Sequence, residues 1–388
     1  MKALITGELK KIFSQKIVII VSMLLLLINI FNIYYSVVDS SDYWLLKEAE
    51  DKIYSIAEGE ITESNVKELV DYRDKMFNAN KNNEKIETIL GTPLSDYYIA
   101  EKIVDTLTSV YNYASSIEQL KEDVLIQNGV LKSKNNPYLT RVNEKIENVY
   151  TQRQISSFYN TTGYEKYFSY NFSSFLILLI VILGVSTLFS GEKEAGMFQL
   201  NLSTANGRIK LTSAKLIACI TFSISVGLLF YLSDYIVFSN ITTMNGLKLP
   251  VYSLDSFGFS PISFSIGNFI FFTTMIKIGG IVYISFITAL LSSVLNRSYI
   301  VLAVSLLAVF GFMYITAYST ETMLYISLVN PVNLLTCTKM FETFNVVDIF
   351  NYPMFRYSIS LIMSSLFIAL TLLSVYITNN TNSKRVIK

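Results

Sequence analysis

The 388-residue chain contains no histidine, two cysteines, six prolines and a single tryptophan. Without histidine it lacks the side chain that most often serves as a general base or a metal ligand in proteins. Cys219 and Cys337 lie in or beside apolar segments, so they offer neither a disulfide framework nor a CxxC metal site. The cysteines therefore indicate no redox compartment, and we expect no metal site and no catalytic residue in this chain.

Charged residues are scarce as well, at 16% of the chain against 52% hydrophobic residues, and the mean hydropathy is +0.43. These values differ clearly from those of an ordinary soluble domain. The net charge of +1 conceals an uneven distribution, because residues 39–172 carry 22 acidic and 15 basic side chains while the remainder carries 8 and 16. The sequence therefore predicts an acidic, soluble-like insert within a basic membrane protein.

Six apolar runs are long enough to cross a bilayer, whose hydrocarbon core of about 30 Å takes about 20 helical residues. They cover residues 17–38, 172–190, 212–238, 266–294, 299–318 and 355–378. The first run begins too far into the chain, and is too long, for a cleaved signal peptide. The predicted fold is therefore an all-α polytopic membrane protein with six transmembrane helices.

With six spans, four basic clusters fall on the same side of the membrane. They are Lys2, Lys10, Lys11 and Lys16; Lys193, Arg208, Lys210 and Lys215; Arg297; and Lys384, Arg385 and Lys388. Because lysine and arginine near span ends favour the cytoplasmic side, we expect both termini inside and residues 39–171 outside. The expected location is the plasma membrane of a bacterial cell.

The insert at residues 39–171 is expected to be mostly helical and large enough to bury a core of its own. Its first apolar stripe has helical spacing and comprises Leu45, Leu46, Ala49, Ile53 and Ala57. Two roles stay open for the insert: a ligand-binding domain, or a stalk that packs on itself or on a partner's copy.

Shorter segments connect the spans. Residues 1–16 place apolar side chains at helical spacing beside lysines, which predicts an amphipathic elbow helix in the inner interface, or a plain extension of the first span. Residues 191–211 form a cytoplasmic loop, 239–265 an extracellular loop and 379–388 a cytoplasmic tail. Residues 319–354 carry apolar turns around Asn330 and Pro331, which predict re-entrant helices before span six.

Charges within the spans are few. Asp234, Lys277 and Arg356 all lie toward the outer ends of their spans, where their side chains can reach the interface. We therefore find no sequence signal for a carboxylate relay at the membrane midplane, which argues against a cation-coupled transporter.

The polar segment Gly191–Lys215 lies between the second and third spans. Its first six residues have the spacing of half a phosphate-binding loop, but Met197 and Phe198 stand where that motif requires lysine and then serine or threonine. The chain therefore has no predicted nucleotide site of its own. It also shows no basic-aromatic surface for nucleic acid.

The same segment carries Glu192, Glu194 and Gly196, then leucines and small residues, then Arg208 and Lys215. Together with the six spans, the elbow, the outer insert and the re-entrant segment, this order resembles the permease subunit of ABC-2 type exporters. Three positions differ from the family's usual Thr, Pro and Gly, namely Met197, Ala205 and Ala214. The layout covers nearly the whole chain, while the insert matches in position and size only.

The resemblance implies that this segment is a coupling helix that docks into a groove of a separate ATPase. The implied coupling residues are Glu192, Glu194, Gly196, Phe198, Leu200, Leu202, Arg208 and Lys215. Acidic residues in the first turn and basic residues near the end would stabilise such a helix through its dipole. Its apolar residues would fill the groove of the ATPase.

The expected function is therefore that of a permease subunit, paired with a second copy or a related permease and with two ATPase chains. It would export an amphipathic substrate such as a peptide, an antibiotic or a lipid-like molecule. ATP and Mg²⁺ would bind to the ATPase, and this chain would need no cofactor. Two alternatives stay open: a sodium-efflux permease of the same layout, and a membrane sensor or scaffold whose outer domain binds a ligand.

Overall fold

The computed structural model describes residues 1–129, 136–151, 153–198, 200, 209–317 and 328–386, with side chains to residue 381. Six helices are long and apolar enough to cross a membrane: Lys16–Val37, Thr162–Glu194, Ile209–Ile241, Ile266–Val294, Ser298–Ala317 and Arg356–Thr381. Each contains or overlaps one of the predicted apolar runs. The prediction of a helical protein with six potential spans is thus confirmed by length and composition.

The helices, in chain order, are α1 (Lys2–Phe13), α2 (Lys16–Val37), α3 (Tyr43–Tyr54), α4 (Glu63–Asn82), α5 (Pro93–Tyr111), α6 (Tyr113–Gln127), α7 (Pro137–Tyr150), α8 (Thr162–Ser169), α9 (Phe172–Glu194), α10 (Ile209–Ile241), α11 (Ile266–Val294), α12 (Ser298–Ala317), α13 (Pro331–Leu335) and α14 (Arg356–Val386). Short strands form two antiparallel pairs, β1 (Gly59–Glu60) with β2 (Ser157–Phe158), and β3 (Val346–Ile349) with β4 (Tyr352–Phe355). Three 3-10 turns cover Val251–Ser253, Asp255–Phe257 and Cys337–Phe341.

Helix α9 is the central span, because 72% of its apolar window is buried against the rest of the chain. The corresponding share is only 17% for α2 and α12 and 22% for α14, whose exposed apolar side chains suit a lipid environment. Small residues bring α9 close to its neighbours. A Cβ atom on Gly184 would lie 2.6 Å from the Phe222 ring of α10. Only glycine, which has no Cβ atom, avoids this clash.

The insert is helical from α3 to α7, as predicted. Caps explain where its helices begin: the Thr62 hydroxyl accepts a hydrogen bond from the Asn65 amide, and Thr92 caps α5 with Pro93 as the first helical residue. Helices α3, α4 and α5 share one core, with Ile53, Leu69, Ala100, Ile103 and Leu107 at its centre. Helices α6 and α7 form a second core with Phe344, which follows α13.

Arg153 joins the insert to the segment between α10 and α11. Its guanidinium lies 4.3 Å from the ring centroid of Tyr150 and 4.6 Å from that of Tyr252, and it donates a hydrogen bond to the Ser260 carbonyl. The Arg153 side chain is only 3% exposed. Residues of the insert and of the segment between α10 and α11 enclose it. The sequence analysis did not anticipate this role.

Helix α13 packs against α11 near the middle of that helix, beside Gly280. The segment that follows contains the β3–β4 hairpin, whereas the prediction for residues 319–354 included only short helices. Val346, Val347 and Ile349 favour a strand, and the turn residues Phe350 and Asn351 take φ angles of 53° and 63°, as a two-residue hairpin turn requires.

Asp234 of α10 and Lys277 of α11 are buried rather than turned to the surface. Asp234 is 3% exposed and accepts a 2.6 Å hydrogen bond from the Asn29 amide, while Lys277 is 8% exposed. The Tyr170 hydroxyl donates in turn to the Asn29 side-chain oxygen at 2.9 Å. Both side chains are therefore enclosed by protein: the Asn29 amide solvates the Asp234 carboxylate, and the Lys277 ammonium lies 5.7 Å from the Tyr231 ring centroid. Arg356 is the first residue of α14.

Two adjacent glycines of α11 test the packing of α13. A Cβ atom on Gly280 would lie 2.9 Å from Leu334 Cβ and 3.2 Å from the Pro331 carbonyl oxygen, whereas one on Gly279 meets nothing within 4 Å. We expect Gly280→Ala to lower the free energy of unfolding by about 1–3 kcal/mol through overpacking. Gly279→Ala should be neutral or slightly stabilising. Thermal unfolding in detergent would compare them, and equal melting temperatures would contradict this packing.

Candidate functional site at the end of α9

The last turn of α9 carries Glu192, Lys193 and Glu194. The sequence analysis had placed both glutamates in a loop and in the first turn of a coupling helix, which is wrong because α9 continues to Glu194. A helix C-terminus bears partial negative charge, so carboxylates there are unfavourable unless cations compensate them. The chain supplies those cations from α1 and α10.

Glu192 belongs to a group of four side chains with alternating charges. The Lys215 ammonium lies 2.8 Å from Glu192 Oε1 and 2.9 Å from Glu8 Oε2, and it also donates to the Leu188 carbonyl at 2.8 Å. Lys11 lies 2.6 Å from Glu8 Oε1 and 3.0 Å from Glu192 Oε1. Two acids and two bases leave no net charge, which allows the group to be buried. We call these four residues the ion-pair cluster.

Burial within the ion-pair cluster is graded. The Lys215 side chain is 2% exposed and that of Glu8 is 5% exposed, whereas that of Lys11 is 57% exposed. Burial acts to lower the pKa of Lys11, but the hydrogen bonds and charges of Glu8 and Glu192 outweigh it and raise that pKa. The cluster therefore extends from a buried contact between helices, at Lys215 and Glu8, to the protein surface at Lys11.

The other two charges of the turn cap neighbouring helices. Lys193 Nζ donates to the Ser293 carbonyl at 2.6 Å and to the Leu295 carbonyl at 3.1 Å, at the C-terminus of α11. Glu194 accepts from the Ser298 amide at 2.7 Å and from its hydroxyl at 3.1 Å, at the N-terminus of α12. A cation at a helix C-terminus and an anion at an N-terminus both match the helix dipole. One turn of α9 thus contacts α1, α10, α11 and α12.

The remaining predicted residues differ in their surroundings. Gly196 takes a φ angle of 69°, which glycine adopts without strain, directly after the end of α9. Phe198 packs against the span core, with the Lys193 ammonium 5.3 Å from its ring centroid. Leu200 is 60% exposed, and Met197 beside it is 48% exposed. Leu202 and Arg208 lie outside the described residues.

The sequence analysis missed the contributions of Glu8, Lys11 and Ser298. Glu8 is the only acidic residue before Asp39, on a helix with several lysines, and this isolated acid was the signal that could have indicated a buried partner. A cavity of about 400 Å³ lies beside the ion-pair cluster, with Gln15 and Met197 also in its wall. Within the described residues, no group of three or more acidic or cysteine side chains is placed to hold a metal ion.

Comparison with known proteins leaves the family undetermined. A scan against protein-family models matches none of them, and a search of curated proteins finds no significant match. Arguments about function therefore rest on the residues and contacts of this chain.

Lys215→Met tests the ion-pair cluster. The change leaves two buried carboxylates with Lys11 as their only cation, so we expect a loss of about 3–5 kcal/mol in the free energy of unfolding. Lys210→Met is the matched control, because Lys210 lies on the same helix and is exposed. Thermal unfolding in detergent and protease sensitivity near residue 13 would measure the effect. If both variants melt alike, the cluster does not hold α1 to the spans.

Proposed function

We propose that this chain is the permease subunit of an ABC-2 type exporter and that a separate ATPase drives it. In this proposal both termini and residues 191–211 face the cytoplasm of a bacterial cell, residues 39–171 form an extracellular domain, and α13 is a re-entrant helix. The observation that carries the proposal is the contact of one turn of α9 with four other helices at their ends.

The proposed coupling step is mechanical. An ATPase that presses on the segment after α9 displaces the last turn of α9. The ion-pair cluster passes that displacement to α1 and α10. Lys193 and Glu194 pass it to α11 and α12 through their caps. Helix ends tied by charge-assisted hydrogen bonds move together more readily than ends joined by a loose loop. ATP and Mg²⁺ bind to the ATPase.

The geometry divides the coupling residues into two groups. Glu192, Glu194 and Lys215 face other helices of this chain, so they serve as internal links. Met197 and Leu200 are exposed, so they are the residues that we assign to the groove of the ATPase. This assignment differs from the expectation that Glu192, Glu194 and Lys215 belong to the segment that docks into the ATPase.

The exposed faces of the spans support an amphipathic substrate and a second permease copy as parts of the proposal. Helices α2, α12 and α14 present exposed apolar faces, for example Leu307 at 70% and Phe310 at 51% on α12. Such faces suit lipid on one side and a second permease copy on the other. An amphipathic substrate passing between two such subunits would meet apolar side chains with isolated hydroxyls.

Sodium efflux is the second candidate, and Asp234 is the observation that favours it. A carboxylate that is 3% exposed within a span is a candidate for ion binding. Its neighbour Asn29 donates an amide hydrogen bond to it, however, and so occupies one lone pair that a cation would need. Loss of sodium efflux in Asp234→Asn, with peptide export unchanged, would favour this candidate.

Co-purification with an ATPase from a neighbouring gene tests the main proposal. We expect the wild-type chain to retain the ATPase and the double variant Met197→Glu with Leu200→Glu to lose most of it, because charges cannot fill an apolar groove. Leu94→Glu, at an exposed leucine of the insert, is the matched control and should retain the ATPase. Melting temperatures should be similar for all three proteins.

Two outcomes contradict the proposal. If no ATPase co-purifies with the wild-type chain, the coupling role is wrong, and ligand binding by the insert would then favour a sensor. If the ATPase is retained by the Met197 and Leu200 variant with unchanged ATP hydrolysis, the assignment of the contact residues is wrong.

A further inference from the structure

The apolar stripe of α3 is buried in the insert along only part of its length. Ala49 and Ile53 are fully buried, and Ile53 belongs to the core that α3 shares with α4 and α5. Leu45 and Leu46 belong to the same stripe, yet they are 52% and 44% exposed, and Trp44 beside them is 47% exposed. The insert therefore leaves the first turn of α3 uncovered. We call Trp44, Leu45 and Leu46 the α3 anchor.

Contacts of Tyr43 hold the α3 anchor beside the ends of two spans. The Tyr43 hydroxyl donates a 3.1 Å hydrogen bond to the carbonyl of Ile241, the last residue of α10. Tyr43 also packs on a cluster that contains Val37, the last residue of α2, together with Phe238 and Ile241. Only residues 38–42 separate α2 from α3. The α3 anchor thus lies at the level where two spans end.

We propose that the α3 anchor inserts into the boundary between the lipid headgroups and the acyl chains. Tryptophan and tyrosine are enriched at this depth because their rings are apolar and their polar atoms can still reach water. Tyr34 and Tyr35, in the last turns of α2, are exposed at 44% and 71%, so exposed aromatic side chains occur on both helices at this level. A lipid occupant is favoured over a second copy because Tyr43, which directly precedes the α3 anchor, packs against the ends of α2 and α10.

The anchor has a structural consequence for the insert. A helix attached to the bilayer at its first turn and to the insert core at Ile53 and Tyr54 restricts how the insert can tilt over the spans. The restriction holds whichever face of the membrane carries the insert, and it does not depend on an ATPase partner.

Trp44 is the only tryptophan of the chain, so its fluorescence reports on the anchor without labelling. The experiment places the full-length protein in lipid nanodiscs that contain phosphatidylcholine brominated either near the top or near the end of the acyl chains. Aqueous iodide serves as the quencher from the solvent side. We expect stronger quenching by the shallow bromines than by the deep ones, and weak quenching by iodide.

Two double variants calibrate the measurement. Trp44→Phe with Tyr35→Trp places the probe on the last turns of α2. Shallow bromines should quench this probe about as strongly as they quench Trp44 in the wild-type protein. Trp44→Phe with Phe158→Trp places it in the insert core, where residue 158 is 3% exposed and neither quencher should act. Strong iodide quenching of Trp44 without a bromine effect would overturn the proposal. Protection from both quenchers would also overturn it, because protein, such as a second copy, would then cover the anchor.

Discussion

The ammonium group of Lys215 is buried between the carboxylates of Glu8 and Glu192, and the arrangement of α1, α9 and α10 depends on this contact. Removing a charge from water costs several kcal/mol, so Lys215 is stable in this place only while both carboxylates face it. Lys11 balances the second negative charge from the partly solvated side. The ion pairs hold α1 against α9 and α10.

The same requirement explains why the end of α9 is fixed to four other helices. Its terminal turn is constrained by Glu192 toward α1 and α10, by Lys193 toward α11 and by Glu194 toward α12. Each contact is charge-assisted and therefore stronger than a neutral hydrogen bond. Met197 and Leu200 follow directly and remain exposed. The charged residues that contact other helices and the exposed apolar residues are thus adjacent in sequence but have different surroundings.

At the opposite end of the spans, two buried charged side chains are stabilised by contacts other than ion pairs. Asp234 is solvated by the amide of Asn29 instead of a hydrogen-bonded cation, and Arg153 is held between two tyrosine rings and backbone carbonyls. The first contact attaches α2 to α10, and Arg153 attaches the insert to the segment between α10 and α11. The Tyr43 hydroxyl attaches the first turn of α3 to the end of α10. The insert therefore rests on the ends of the spans through specific polar contacts. The exposed side chains of the α3 anchor lie at the same level.

The sequence by itself determined the six apolar helices and the helical insert. Span length, hydropathy and helical periodicity are local properties that need no knowledge of packing. Tertiary structure alone decided the partners of the charges, because Glu8 and Lys215 lie far from Glu192 along the chain and a lysine has the same local signature whether it is buried or exposed. It also decided that Leu45 and Leu46 face outward while Ile53 of the same stripe is buried. Periodicity indicates which face of a helix is apolar, but only the fold shows whether protein covers it.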